Sequence, residues 1–255
     1  MVLLSLLGIF VGFVGTALGL GGGLILTPFL LYLYPEMPPN QLTAISLFCI
    51  AINSTIGALS YFRKKRVHLR SALLFSVASL PGAWFGVQLA SLVQRSKFEL
   101  IFGIFLAIIG SYLIIRKPNK HIDSHISEWK GTRARFTAGF LISFFVGTIA
   151  SFLGIGGGII HVPLLVEVMQ FPAHTAVATS HFILAASAII ASVEHYTNGT
   201  LVFNSLVLYI AAGIVIGSPL GAKASTKVKG ANIMKLIGGV VILVGIRLLY
   251  TNLMR

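Results

Sequence analysis

The chain has 255 residues, 56% of them hydrophobic and 10% charged, with a mean hydropathy of +0.93. These values exclude a soluble globular domain and indicate a polytopic integral membrane protein. The formal net charge of +13 does not mark a nucleic-acid binder, because the cations fall in loops between apolar segments. They read instead as topology signals and contacts with anionic lipid. The lone cysteine, Cys49, sits in an apolar run and excludes a disulfide framework or CxxC redox chemistry.

Eight nearly uncharged stretches follow in order, at about 2–34, 41–62, 71–93, 98–115, 136–169, 174–197, 201–222 and 231–250. Most match the roughly 20 residues a spanning helix needs. The first lacks the basic start of a secretory signal and reads as part of the mature protein. As one helix it would be about 50 Å long, against a hydrocarbon core of about 30 Å. It also contains Gly19, Gly21, Gly22 and Gly23, followed by Pro28. Glycine costs roughly 1 kcal/mol in a helix interior and proline about 3, so the sequence predicts a break there. Broken backbone at membrane depth survives only where protein buries it or water reaches it.

The second stretch carries Ser46, Asn53 and Ser54, and ends in a basic loop from Arg63 to Arg70. The third contains Gly82, Gly86 and Gln88, and the fourth leads into a polar connector at 116–135. The fifth repeats the glycine knot as Gly154, Gly156, Gly157 and Gly158 with Pro163, and adds His161. The sixth carries Ser180, His181 and Ser187, with Glu194 and His195 near its end. Spaced glycine pairs such as Gly82/Gly86 and Gly217/Gly221 are the ordinary means of tight helix packing in membranes.

Sliding the chain against itself by 135 positions pairs Gly19 with Gly154, Gly21–Gly23 with Gly156–Gly158, and Pro28 with Pro163. It also pairs Gly82 with Gly217 and Gly103 with Gly238, while in the second stretch an offset of 134 matches Ser46 to Ser180. The chain is therefore a duplication, with repeats at 1–115 and 136–255 joined by a polar cytoplasmic linker at 116–135. If stretches one and five fold back at their knots, each repeat crosses the membrane an odd number of times and the repeats lie inverted. Inversion places the Arg63–Arg70 loop, the linker and Lys223, Lys227 and Lys229 all in the cytoplasm, and the uncharged Thr197–Thr200 loop outside. Four ordinary spans per repeat would export the lysines instead. The expected fold is thus an all-α integral membrane protein of eight hydrophobic segments in two inverted halves, with segments one and five broken.

A helix restarting after such a break has N–H groups without partners and about half a positive charge at that end, which suits an anion. The candidate site is built from Gly19, Gly21, Gly22, Gly23, Gly154, Gly156, Gly157 and Gly158, with Thr27 adding a hydroxyl. The repeat-related Ser46 and Ser180 belong beside the knots, with Asn53 on the same stretch as Ser46. His161 and His181 are intramembrane ionisable groups, competent to carry a coupled proton or complement an anion, but a satisfied core histidine is an equal alternative. His174, His181 and His195 share one helical stripe, but seven residues rise about 10 Å, too far for one metal ion. Gln88 fits an interhelical bond and Glu194/His195 a solvated or snorkelling pair. No cofactor motif is readable and none is expected. A membrane enzyme using His161 or His181 on a lipid or quinone is the alternative, disfavoured because no carboxylate or thiol stands at readable spacing.

The paired knots with their equally spaced prolines, and the stretches Ala44-Ile45-Ser46-Leu47-Phe48 and Ala178-Thr179-Ser180-His181-Phe182, resemble the TauE/SafE family of sulfite and organosulfonate transporters. The resemblance spans essentially the whole chain. It implies export of a small sulfur-containing anion such as sulfite or a sulfonate across a bacterial or archaeal plasma membrane, by rocking of the inverted halves, with proton coupling an open question. The partners expected are that anion and the lipid bilayer, with homo-oligomer formation allowed and no nucleic acid.

Overall fold

The computed structural model describes residues 2–115, 133–225 and 230–253. Most of the linker, residues 116–132, together with Lys227 and Lys229, lies outside the described residues. The described residues form ten α-helices and a π-helical turn. The first repeat supplies α1 (Val2–Leu18), α2 (Gly23–Leu33), α3 (Pro39–Arg63), α4 (Leu69–Leu92) and α5 (Arg95–Ile115). The second supplies α6 (Arg133–Leu153), α7 (Gly158–Pro163) continuing as the π turn Leu164–Val168, α8 (Ala173–Thr197), α9 (Ser205–Ala224) and α10 (Gly230–Leu253). Seven of these helices are long and apolar enough to cross a membrane, and Val2–Leu18, Gly23–Leu33 and Gly158–Val168 are shorter apolar helices. Hydrophobic stretches one and five are therefore each divided in two.

The glycines make the divisions. Gly19, Gly21 and Gly22 have φ of 81°, 74° and 87°, and Gly154, Gly156 and Gly157 have 68°, 78° and 70°, a left-handed backbone that side chains disfavour. Pro28 is carried inside α2, so it does not end the helix. Pro163 is followed by the π turn, in which Met169 N–H donates to Leu164 O at 3.2 Å, skipping one residue more than an α-helix does. Elsewhere the ends follow local rules: Pro39 opens α3 and Asn204 caps α9 by accepting from Val207 N–H at 3.1 Å.

Small residues let the helices touch backbone to backbone. A β-carbon on Gly82 of α4 would strike Phe144 O of α6, and one on Gly217 of α9 would strike Ile9 O of α1, which bears out the packing role expected of these glycines. The register gives helix direction. Gly8 and Gly12 of α1 face Ile210 and Ile214 of α9, so the two run parallel, as do α4 and α6. Gly103 faces Gly245 and Gly110 faces Gly238, so α5 and α10 run antiparallel. Gly57 meets His181, whereas Leu47, Ile50 and Ala51 cluster with Leu184, Ala188 and Ala191, so α3 and α8 are antiparallel as well. Repeat-related helices that cross antiparallel mean that the halves are inverted.

The same contacts settle the faces. Arg95 at the start of α5 donates to the carbonyls of Leu31, Tyr34 and Met37, so α2 ends on the face where α3 and α5 begin. The Asn198–Asn204 loop, and with it the start of α1, lies on that face. Arg135 at the start of α6 donates to Gln170 Oε1 at 2.9 Å, so the second broken pair begins and ends on the opposite face. That opposite face carries Arg63, Lys64, Lys65, Arg66, Arg70, Arg133, Arg135 and Lys223. The most extensive packing joins α1 with α9, α4 with α6, α5 with α10 and α3 with α8, so the two repeats interleave. Large apolar side chains including Trp84, Phe85, Phe145, Ile216 and Leu243 are exposed around the bundle, a surface that suits lipid.

Candidate functional site

The two breaks meet near the middle of the bundle. A β-carbon on Gly23 would lie 2.8 Å from Gly154 O and from the Ile155 carbonyl carbon, and one on Gly158 would strike Gly19 O and lie 2.9 Å from the Leu20 carbonyl carbon. Each chain reversal uses the same bonds: Leu20 N–H donates to Gly15 O and Ile155 N–H to Ala150 O, both at 2.9 Å. Because the repeats are inverted, α2 and α7 run outward from the centre toward opposite faces. Their N-terminal residues, Gly22 and Gly157, cap them with no side-chain bond. The first N–H groups of α2 therefore precede any intrahelical acceptor.

Thr27 and Ser46 brace the opposite break. Thr27 Oγ1 lies 2.6 Å from Gly154 O and 2.8 Å from Ser46 Oγ, and Ser46 Oγ lies 2.7 Å from Gly154 O. A carbonyl left unpaired by the break thus accepts hydroxyls from the first repeat. In the second repeat Val162 stands where Thr27 does, and it packs against Gly19 without a hydroxyl to offer. Ser180, the counterpart of Ser46, is fully buried with no partner for its Oγ.

Asn53 lies at the first break. Its Oδ1 accepts from Thr16 Oγ1 of α1 at 2.7 Å and from Ser218 Oγ of α9 at 2.5 Å. These two donors turn the amide so that Nδ2 points into the crook between α1 and α2. There Nδ2 lies 2.6 Å from where a β-carbon on Gly15 would be and 3.6 Å from one on Gly22. The residue is fully buried and Nδ2 has no hydrogen-bond partner. An amide donor and the first N–H groups of α2 therefore lie close together at the first break.

The histidines are placed differently. His161, 1% exposed, lies beside the second break with its ring against the Gly157 backbone, Nδ1 being 3.4 Å from where a β-carbon on Gly157 would be. His181 Nδ1 is 3.1 Å from Val177 O, its ring edge fills the space left by Gly57, and it meets Tyr61 edge-on at 5.4 Å between centroids. Its Nε2 has no partner. The structure thus sets His161 at the second break and His181 against Tyr61, about two turns along α3 from Asn53.

Several side chains follow the ordinary reading. Ser54 and Ser187 bond back to Ile50 O and Ile183 O in their own helices. Gln88 makes the expected interhelical bond, its Nε2 donating to Glu194 Oε1 at 2.5 Å. Glu194 and His195 are not a solvated pair, being 7% and 1% exposed. Gln88 of α4 covers the carboxylate, and Thr200 Oγ1 lies 2.8 Å from His195 Nδ1. Sequence reasoning missed Thr16 and Ser218. Thr16 did carry a signal, since the 135 offset pairs it with another hydroxyl, Ser151.

Comparison with known proteins agrees with this architecture. The family model described as sulfite exporter TauE/SafE matches residues 4–248. The chain is 31% identical to a probable membrane transporter protein, YunE of Bacillus subtilis, over 99% of this chain and 98% of that protein. It is 26% identical to the probable membrane transporter protein MJ0441 of Methanocaldococcus jannaschii, over 97% of this chain and 94% of that one. A sulfite exporter TauE/SafE family protein 3 of Arabidopsis thaliana shares 34% identity over 45% of this chain and 26% of its own length. No solved structure matches. The chain is a multi-pass membrane protein and belongs to the TauE/SafE family of membrane transporters.

Proposed function

We propose that this protein is a secondary transporter that carries a small sulfur-containing oxyanion, sulfite or an organosulfonate, out across the plasma membrane by alternating access. The observation that carries the reading is Asn53, whose amide nitrogen is buried and unpartnered at the start of α2. A buried donor without an acceptor costs about 1–3 kcal/mol, so its retention beside a glycine-lined helix start points to a ligand that completes it. Sulfur oxyanions come from the description of the matching family, which names sulfite export.

Orientation follows from charge: the face bearing the Arg63–Arg70 loop and Lys223 is cytoplasmic by the positive-inside rule. The repeats interleave, so the moving units are two mixed groups, α1, α3 and α9 against α4, α6 and α8, sliding across the α3–α8 contact. His161, buried at the second break, is the residue to carry a proton if flux is proton-coupled. The test is counterflow of labelled sulfite in liposomes holding the purified protein. Sulfite exchange that depends on Asn53 supports the reading, and turnover of a lipid with no movement of any oxyanion defeats it.

A further inference from the structure

The two halves are built alike, but the loops joining α3 to α4 and α8 to α9 are not. On the basic face α3 leads into α4 through a loop in which Lys65 N–H donates to Phe62 O at 2.9 Å and Arg66 N–H to Tyr61 O at 3.2 Å. On the other face α8 leads into α9 with the same bonds, Gly199 N–H to Tyr196 O at 3.0 Å and Thr200 N–H to His195 O at 2.9 Å. Lys65 even takes a φ of 54° where Gly199 takes 70°. The matched backbones carry different chemistry. Asn198 and Thr200 stand where Lys64 and Arg66 do, and Gln88 stands where Lys223 does.

Lys64, Arg66 and Lys223 lie together. Lys64 Nζ donates to Ala222 O at 2.8 Å, beside Lys223. Burial first, and then the charges of Arg66 and Lys223, lower the Lys64 pKa from its ordinary value. Lys64 and Lys223 are exposed and Arg66 is half-buried. The described acids are engaged elsewhere: Glu99 with Arg95, Glu194 with Gln88 and Glu167 with Tyr112, while Glu36 follows α2 on the other face.

From this cluster a line of polar groups runs inward. Tyr61, one turn before Lys64 on α3 and 1% exposed, donates to Thr16 O at 2.8 Å. Thr16 Oγ1 donates to Asn53 Oδ1, and Asn53 Nδ2 ends at the first break. The position of Tyr61 is taken in the other half by His195, whose Nε2 makes no corresponding bond.

We propose that Lys64, Arg66 and Lys223 form a capture site for small oxyanions at the mouth of this path, with Tyr61 closing the path between mouth and break. The proposal rests on the reading of the first break as an anion site. Clustered cations at a low-dielectric mouth concentrate anions locally, and salt screens them over about 8–10 Å. The neutral Asn198, Thr200 and Gln88 of the other mouth, with Glu194 beside them, give no such enrichment. The cluster sets apparent affinity from its own face and leaves the equilibrium of an uncoupled carrier unchanged, since any gain in affinity there is matched by slower turnover from that face.

The experiment is sulfite counterflow in liposomes of known protein orientation, with KM read separately from each face. Lys64→Gln, Arg66→Gln and Lys223→Gln together should raise KM from the basic face about tenfold at low ionic strength and about twofold or less in high salt. KM from the other face should not move. Lys223→Gln alone, at an exposed site, should raise KM about twofold, which preserves the test if the triple variant fails to insert. Lys64→Arg with Lys223→Arg should keep the original KM. Arg70→Gln is the same-face control, because Arg70 is engaged over the Phe136 ring at 5.2 Å. Unchanged KM in both the triple and the Lys223→Gln variants, or an equal rise in Arg70→Gln, overturns the capture site and assigns these cations to topology alone. Loss of all Asn53-dependent oxyanion exchange in the unmodified protein would instead defeat the transport reading.

Discussion

Replacing Asn53 by leucine separates the ligand from the fold. The side chains are close in volume, so packing is nearly conserved and the change is one of hydrogen bonding. On the ligand side the variant loses the amide donor that faces the crook of Gly15 and Gly22. A hydrogen bond to a charged group is worth about 1.5–3 kcal/mol, so sulfite affinity should fall roughly 10- to 100-fold. On the protein side two hydroxyls lose Oδ1 as acceptor. Ser218 keeps Ile214 O at 2.7 Å, so only Thr16 Oγ1 is left without its acceptor. That costs about 1–3 kcal/mol of stability, visible as a lower midpoint of thermal unfolding in detergent without ligand. The assays are the sulfite-dependent rise in unfolding temperature and the KM of counterflow. A variant less stable than the parent that still exchanges sulfite with the parent KM would refute the assignment, because the amide would then be a structural brace alone. Asn53→Asp sharpens the result: Thr16 and Ser218 can still donate to the carboxylate, but a second anion at about 4 Å and an effective dielectric of about 20 would be repelled by about 4 kcal/mol, near a thousandfold in affinity.

Gly158→Ala should lower stability by about 1–3 kcal/mol in thermal unfolding, because its methyl would strike Gly19 O and lie 2.9 Å from the Leu20 carbonyl carbon, while Gly239→Ala, with nothing within 4 Å, should be tolerated. His68 caps α4 outside the spanning segments, with Nδ1 2.9 Å from Ser71 Oγ and its ring against Phe171 at 5.0 Å, and burial followed by the Arg70 charge lowers its pKa. A depressed pKa means that the folded state prefers the neutral ring, so this contribution is present above the usual histidine pKa and is lost as pH falls toward the folded value; His68→Asn should flatten that part of a stability-versus-pH curve. Reporter fusions after Thr200 should read as external and fusions after Ile115 as cytoplasmic, and the reverse result would overturn the orientation assigned from charge.

Much of the fold was legible because its signals are local and strong. Glycine runs forbid a continuous helix wherever they occur, so α1 and α2 part at Gly19–Gly22 and α6 and α7 at Gly154–Gly157, as composition alone requires. The fixed 135-residue offset and the placement of cations imposed inversion, and the antiparallel crossings of α3 with α8 and α5 with α10 agree with it. The prolines were over-read: Pro28 rests within α2 and Pro163 precedes a π turn, since the glycines beside them had already made the break. Glu194 and His195 were misplaced at a solvated end because hydropathy carries no information about which neighbouring helix covers a helix terminus.

By itself the sequence determined the all-helical membrane character, the glycine runs at which α1 and α2 and then α6 and α7 part, and the loops in which cations collect, because each depends on residues near one another along the chain. Only the tertiary structure decided what the polar side chains do, because hydrogen-bond partners there are distant in sequence. It gave Thr27 and Ser46 to the opposite break at Gly154, and it bound Asn53 through Thr16 and Ser218 from two other helices. It also interleaved the repeats, so that α1 lies with α9 and α4 with α6 rather than each repeat forming a body of its own. Periodicity along one helix shows which face is apolar, but the helix that meets that face is chosen by the packing of the whole bundle.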